Sequence, residues 1–154
     1  MIKHILFTSF STLFLIFTSS SVFANEMIST NAVKASTVIS MIQAQGYRDV
    51  FDFDYANGDF FVKAIDKDNE IVRITVNART NEILRVKDTE CHMRKMTHPV
   101  SMLDAVRKAE WAGVRKIYDV DIENGAYEIL GFNVNDQRVE YLVDFNTGVM
   151  KRSH

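Results

Sequence analysis

The pattern that decides the fold is FDFDYANG at residues 51–58, and it returns as YDVDIENG at residues 118–125. In both stretches apolar residues alternate with acidic ones, which is the period of a β-strand with one buried face. Each strand ends at Asn-Gly, a dipeptide that favours a tight hairpin because both residues tolerate positive φ. The sequence therefore predicts the same hairpin at two places in the chain.

The similarity extends beyond these two stretches. A shift of 67 residues superposes 35–85 on 102–152 without a gap, and ten of the 51 paired positions are identical. Most of the identities fall where backbone geometry is demanding, so we predict an internal repeat. The identical pairs are Gly46/Gly113, Arg48/Arg115, Asp52/Asp119, Asp54/Asp121, Asn57/Asn124, Gly58/Gly125, Val72/Val139, Val76/Val143, Thr80/Thr147 and Arg85/Arg152.

Each repeat is predicted to begin with a helix. Ser101 is the expected cap of the second helix, and Gly46 and Gly113 are the expected stops. Apolar residues spaced i, i+3, i+4 and i+7 mark the buried stripe of each helix. The stripes are Ala35, Val38, Ile39 and Ile42 in the first repeat and Met102, Ala105, Val106 and Ala109 in the second.

Two more predicted strands follow each Asn-Gly and complete a meander of three. The fold class is therefore α+β, with two tandem repeats, each one helix packed on a three-stranded antiparallel sheet. We place the first repeat at 25–86, a linker at 87–100 and the second repeat at 101–154.

The face of each predicted sheet that is turned away from its helix also carries apolar residues. Two interpretations stay open: these faces pack between the repeats, or they form part of a surface for a partner. Trp111, at the end of the second helix, is expected to be a packing anchor. The apolar residues of these second faces are Phe61, Ile65, Ile71, Leu130, Phe132 and Leu142.

The first 24 residues differ from the rest of the chain. Lys3 precedes an apolar run at 5–17, and the small residues Val22 and Ala24 come before the expected cut. This pattern is typical of a secretory signal peptide, so we predict cleavage between Ala24 and Asn25 and a periplasmic or secreted product that leaves the membrane. An uncleaved anchor is the alternative, although the apolar run is short for a membrane span.

Composition excludes several classes of function. The net charge of −2 argues against a nucleic-acid surface, which needs a clustered basic excess. A single cysteine, Cys91, leaves no internal disulfide. The acidic strands lack the third ligand and the spacing of an EF-hand, and no phosphate-binding loop or metalloprotease motif is present, so we expect neither enzymatic activity nor a bound cofactor.

The order of helix, strand, Asn-Gly turn, strand, turn and last strand resembles the PepSY domain family. The second repeat carries the resemblance best, because it ends in Asp144-Phe145-Asn146-Thr147-Gly148; the first has Asn77 and Asn81 in place of the Asp and the Gly. The resemblance implies two tandem copies with an α+β fold. It also implies a role in binding or restraining a protein partner, such as an exported peptidase or a sensor ectodomain, and it brings no catalytic residues.

The linker suggests a different function. A thiol, thioethers and imidazoles within eight residues suit a soft ion such as Cu(I), which makes a copper-type metal or small-ligand site the alternative hypothesis. Cys91 would also permit an intermolecular disulfide and hence a homo-oligomer. The candidate metal ligands are Cys91, His92, Met93, Met96 and His98.

Overall fold

The structure is a computed structural model, and it describes residues 31–89 and 98–153. The two helices, β2 and β6, and β3 and β7 begin and end 67 residues apart, at the offset of the repeat; β1 and β5 end 67 residues apart and begin 68 apart. The elements are α1 (Ala35–Ala44), β1 (Arg48–Ala56), β2 (Asp59–Ile65), β3 (Ile71–Asn77), β4 (Ile83–Asp88), α2 (Met102–Trp111), β5 (Lys116–Glu123), β6 (Ala126–Phe132), β7 (Arg138–Asp144) and β8 (Met150–Arg152).

The described strands form one antiparallel sheet in the order β4-β3-β2-β1-β5-β6-β7-β8. The halves meet where β1 pairs with β5, with Phe53 opposite Val120 and Asp54 opposite Asp119. The prediction of two separate repeats, each one helix on a three-stranded sheet, is therefore wrong. Pairing of β1 with β5 gives both strands a neighbour on each side, whereas separate units would leave their backbone groups unpaired at exposed edges.

The two helices also join the halves. α1 packs against α2 and β5, and α2 packs against β1 and β6, so each helix contacts a strand of the other half. The buried apolar side chains form one cluster that includes the predicted stripes of both helices. Because the core is shared, neither half has a hydrophobic core of its own.

The two helices are capped in different ways. The Ser101 hydroxyl accepts a hydrogen bond from the backbone N–H of Asp104 at 3.2 Å, which confirms the predicted cap of α2. The N-cap residue of α1, Lys34, makes no side-chain capping hydrogen bond. Instead the Glu110 carboxylate of α2 accepts bonds from the Ser36 backbone N–H at 3.2 Å and from its hydroxyl at 2.7 Å. A carboxylate at a helix N-terminus satisfies free N–H groups and interacts favourably with the helix dipole.

Both predicted hairpins are confirmed. Asn57 and Gly58 have φ of 54° and 85°, and Asn124 and Gly125 have φ of 48° and 86°, as a tight turn with two positive φ angles requires. These turns place β2 and β6 beside the two central strands and set the register of the sheet on both sides of the seam.

Candidate functional site

The two edges of the sheet are unequal. β4 has six residues, all of them exposed except Ile83, and it presents Leu84 (54% exposed) and Val86 (41% exposed) to solvent. At the other edge, β8 has three residues, Met150–Arg152, of which the last two are exposed cations. An edge strand offers unpaired backbone N–H and C=O groups to another chain. The β4 edge is therefore the longer and more apolar template.

A groove of about 580 Å³ lies beside α2. One wall is the outward stripe of the helix, and the other is built from the segment before α2 and from the turn between β7 and β8. The indole of Trp111 is 91% exposed. The residues that line the groove are Val100, Asp104, Arg107, Lys108, Trp111, Val143 and Gly148.

The groove contains two cations that have no carboxylate partner among residues 31–89 and 98–153. Arg107 Nη2 donates to the Ser40 hydroxyl at 3.4 Å, and Lys108 Nζ donates to the backbone carbonyl of Gly148. The carboxylate of Asp104 accepts from the Ser101 hydroxyl at 2.7 Å, at the start of the helix. The lining thus combines an exposed aromatic ring with two cations and one carboxylate, which is an excess of one positive charge.

A row of carboxylates crosses the open face at the seam. Asp54 of β1 lies opposite Asp119 of β5, and Asp52 of β1 pairs with Lys63 of β2. Burial, together with the charge of Asp54, raises the pKa of Asp119 to about 6. Burial and the charge of Asp52 also raise the pKa of Asp54. Like charges opposite each other across two strands disfavour the pairing, so the seam is weakened above the pKa of Asp119.

The closing turns, which carry the PepSY resemblance, hold the backbone in place. Asp144 Oδ1 accepts bonds from the backbone N–H groups of Asn146 and Thr147 and from the Thr147 hydroxyl. The bond from the Thr147 backbone is the main reason that the pKa of Asp144 is lowered. Asn77 Oδ1 makes the equivalent backbone bonds in the first half. These bonds fix the shape of both turns, and the turn of the second half contributes Gly148 to the groove.

Most of the predicted copper ligands lie outside the described residues. They are Cys91, His92, Met93 and Met96. His98 is described: its ring packs on Phe145 with 3.8 Å between centroids, and on Tyr127 at 6.1 Å. Its buried Nε2 has no hydrogen-bond partner within 31–89 and 98–153. In the same ranges no three His, Cys, Asp or Glu residues are grouped as metal ligands. The copper site stays a prediction.

Trp111 is the residue that sequence reasoning placed incorrectly. It was expected to be a packing anchor, but its side chain is almost fully exposed. The helical period contained the signal: Asp104, Arg107, Lys108 and Trp111 are spaced i, i+3, i+4 and i+7, on the side of α2 away from the buried stripe. A residue on that side of the helix faces solvent whatever its size.

In the part of the chain that the structure describes, neither helix has the length and apolarity to cross a bilayer.

No curated protein matches this chain. A crystal structure of a putative lipoprotein from Clostridium difficile 630 is similar to this chain, with a TM-score of 0.42 and 13% sequence identity. The similarity covers 81% of this chain and 96% of that one.

A family comparison is more informative. The family described as "Peptidase propeptide and YPEB domain" matches residues 8–87, which is more than half of the chain and includes α1 and β1 to β3 with nearly all of β4. This chain therefore belongs to the PepSY family of peptidase propeptide and YPEB domains.

Proposed function

We propose that this protein is an exported, non-enzymatic module that binds a protein partner, an exported peptidase or a sensor ectodomain, and modulates its activity. Membership of a family named after peptidase propeptides supports the partner class, and no catalytic family is indicated. The signal-peptide pattern supports export, with cleavage between Ala24 and Asn25. The common offset of the elements supports the view that residues 101–154 are a second copy of the family unit, joined to the first in one sheet.

The observation that carries the proposal is the open edge of β4. Among the strands of residues 31–89 and 98–153, its backbone pairs with β3 alone, because β4 is the terminal strand of their sheet. An extended segment of a partner can add there as a further strand, with main-chain hydrogen bonds giving affinity and side-chain contacts giving selectivity. Leu84 and Val86 supply the exposed apolar contacts.

The same edge also limits non-specific pairing. Arg85 and Lys87 of β4 stand opposite Thr75 and Arg73 of β3, and the register shifts at the first of these pairs. Charged residues and bulges on an edge strand discourage indiscriminate association. A partner segment that suits this edge therefore presents apolar residues toward Leu84 and Val86 and avoids placing cations beside Arg85 and Lys87.

The modulating effect follows from this mode of binding. A segment that is held as an added strand is withdrawn from its other contacts, whether these are with a substrate cleft or with a neighbouring domain. The conformational equilibrium of the partner then shifts toward the conformation that binds β4. The size of the shift is set by the difference between the affinities of its two conformations for this protein.

The proposal is tested by capture from the exported fraction of the native host. The chain is expressed with its own leader, purified after export and immobilised as wild type, as the double variant Leu84→Lys/Val86→Lys, and as Val134→Lys. Val134 is a matched control, because it is 61% exposed and lies between β6 and β7, away from β4. Circular dichroism and urea unfolding establish that all three chains are folded.

We expect wild type and the Val134 control to retain the same peptidase or sensor ectodomain, and the double variant to lose at least about tenfold in affinity. Addition of the purified protein should then change the activity of that partner. Recovery of no specific protein, or equal capture by the double variant, would contradict the proposal.

A further inference from the structure

The groove beside α2 is a built feature with two fixed walls. The outward stripe of the helix forms one wall, and Val100 and Gly148 form the other, with the buried Val143 at the floor. The Lys108 ammonium joins the walls by donating to the Gly148 carbonyl. A volume of about 580 Å³ falls within the range of ligand-binding clefts and accommodates a few residues of an extended chain.

The lining of this groove includes apolar side chains that are accessible to a ligand. Trp111 is 91% exposed, and Val100 is only partly buried. An indole leaves a large apolar area in water, and tryptophan side chains are prominent among the residues that dominate binding energy at interfaces. The groove therefore offers an anchoring surface for an aromatic or aliphatic side chain.

The charge of the groove is the second observation. Arg107 and Lys108 bond only to a hydroxyl and a backbone carbonyl, and neither has an ion-pair partner in the described part of the chain. The Asp104 carboxylate also lines the groove and accepts from the Ser101 hydroxyl of the helix cap, so the lining keeps an excess of one positive charge. Two cations beside an exposed ring fit a ligand that brings carboxylates and an apolar group together.

We propose that this groove binds a short acidic segment of a partner protein that carries one aromatic or aliphatic anchor. The anchor packs on Trp111 and Val100, and carboxylates of the segment pair with Arg107 and Lys108. A second copy of this chain is a poorer occupant, because a two-fold contact through the groove would bring the cations of the two copies together. This inference goes beyond the proposed function: the groove lies on the second half, and its binding does not depend on the β4 edge.

The single tryptophan of the chain makes a direct test possible, because indole fluorescence reports on this groove alone. The probe is the peptide acetyl-Glu-Leu-Phe-Glu-Asp-amide, titrated into the exported protein, and its counterpart has Gln and Asn in place of the acids. We expect a saturable blue shift with the acidic peptide. The amide counterpart should bind at least about tenfold more weakly.

Two variants test whether Arg107 and Trp111 are responsible for binding the acidic peptide. Arg107→Gln should weaken binding of the acidic peptide about tenfold, whereas the matched control Arg79→Gln, an exposed arginine in the turn before β4, should not change it. Trp111→Ala, measured by calorimetry, should abolish binding. Urea unfolding of each variant separates loss of binding from loss of fold.

Three results would overturn the inference. The first is no spectral shift with the acidic peptide up to about 1 mM, and the second is equal binding of the two peptides. The third is a blue shift that grows with protein concentration in the absence of peptide, which would make a second copy the occupant.

Discussion

The first half of the molecule, α1 with β1–β4, and the second half, α2 with β5–β8, share their spacing along the chain but differ in the surfaces they present. The first half ends in a six-residue edge strand with exposed apolar side chains, and the second ends in a three-residue strand with two cations. The outward stripe of α2 is Asp104, Arg107, Lys108 and Trp111; the same positions of α1 hold Thr37, Ser40, Met41 and Ala44.

This difference separates what the fold requires from what binding requires. Identical residues of the two halves form both hairpin turns, Asn57-Gly58 and Asn124-Gly125, and contribute the buried pairs Val72/Val139 and Val76/Val143 to the shared core. The features that could engage a partner occur in one half each, the edge in the first and the groove in the second. Four sets of substitutions test how far the halves depend on each other and how they differ.

Phe53→Ala is expected to have the largest effect. Phe53 is fully buried and lies at the seam opposite Val120, so the substitution leaves a cavity in the core that both halves share. We expect a loss of about 3–5 kcal/mol in the free energy of unfolding, measured by urea denaturation. Unfolding should remain one transition, and hydrogen exchange should accelerate in β6 as much as in β2. Unchanged protection of β6 would mean that the halves fold independently.

Gly131→Ala should reveal a difference in packing between two positions that are equivalent in the repeat. The first half has the buried Ala64 there, but a Cβ on Gly131 would lie 2.5 Å from a side-chain carbon of Val114 and 2.7 Å from the backbone oxygen of Lys116. Because backbone must move to relieve this contact, we expect a loss of about 2–3 kcal/mol in urea unfolding. The reverse change, Ala64→Gly, should cost about 1 kcal/mol. Equal costs would contradict the difference in packing.

Asp119→Asn should change how stability depends on pH. The ordinary pKa of 3.8, which applies to the unfolded chain, rises to about 6 in the folded protein because of burial and the carboxylates of Asp52, Asp54, Asp121 and Glu128. The folded state therefore binds more protons between these values, so wild-type stability should rise as pH falls from about 7 to about 4. With allowance for solvent screening, the variant should be about 1–2 kcal/mol more stable than wild type at pH 7.5.

The advantage of this variant should disappear near pH 4, where the wild-type carboxyl is protonated. The control is Asp88→Asn, the same chemical change on exposed β4, measured over the same pH range. A constant advantage of Asp119→Asn at all pH values would show that the cause is packing and not charge.

The smallest expected effects compare the two helix caps. Glu110→Ala removes the carboxylate that α2 provides to the start of α1, and Ser101→Ala removes the cap within α2. Each should lower the free energy of unfolding by about 1 kcal/mol in urea. Ser36→Ala combined with Glu110→Ala should cost less than the sum of the two single changes, because Ser36 and Glu110 bond to each other. Additive costs would argue against that contact.

Local features of this fold could be predicted from the sequence, because their causes are local. The helical stripes are buried as expected, and Ser101 and Asn57-Gly58 adopt the predicted cap and turn. Each depends on residues only a few positions apart, so periodicity and turn chemistry are sufficient. Asn81, which stands where the second half has Gly148, adopts a φ of 61°, close to the 67° of that glycine.

Long-range pairing could not be predicted in the same way. The contact of β1 with β5 joins residues 65 and 67 positions apart, and the alternation of a strand does not show which other strand it will pair with. The fourth strand of each half was missed as well, because β4 is exposed nearly throughout and carries a register shift that breaks the alternation. The groove is not predicted from the sequence, because Trp111 is treated as a packing anchor although the helical period places this residue on the exposed side of α2.

The most direct test of the central claim, that β4 is the partner-binding edge, is photo-cross-linking in the native host. A photo-reactive amino acid replaces Leu84 in one chain and Val134 in another, and each is expressed with its leader and irradiated in living cells. We predict one cross-linked adduct with a specific exported protein from position 84 and none from position 134. No adduct at position 84, or the same adduct from both positions, would contradict the assignment of β4 as the binding edge.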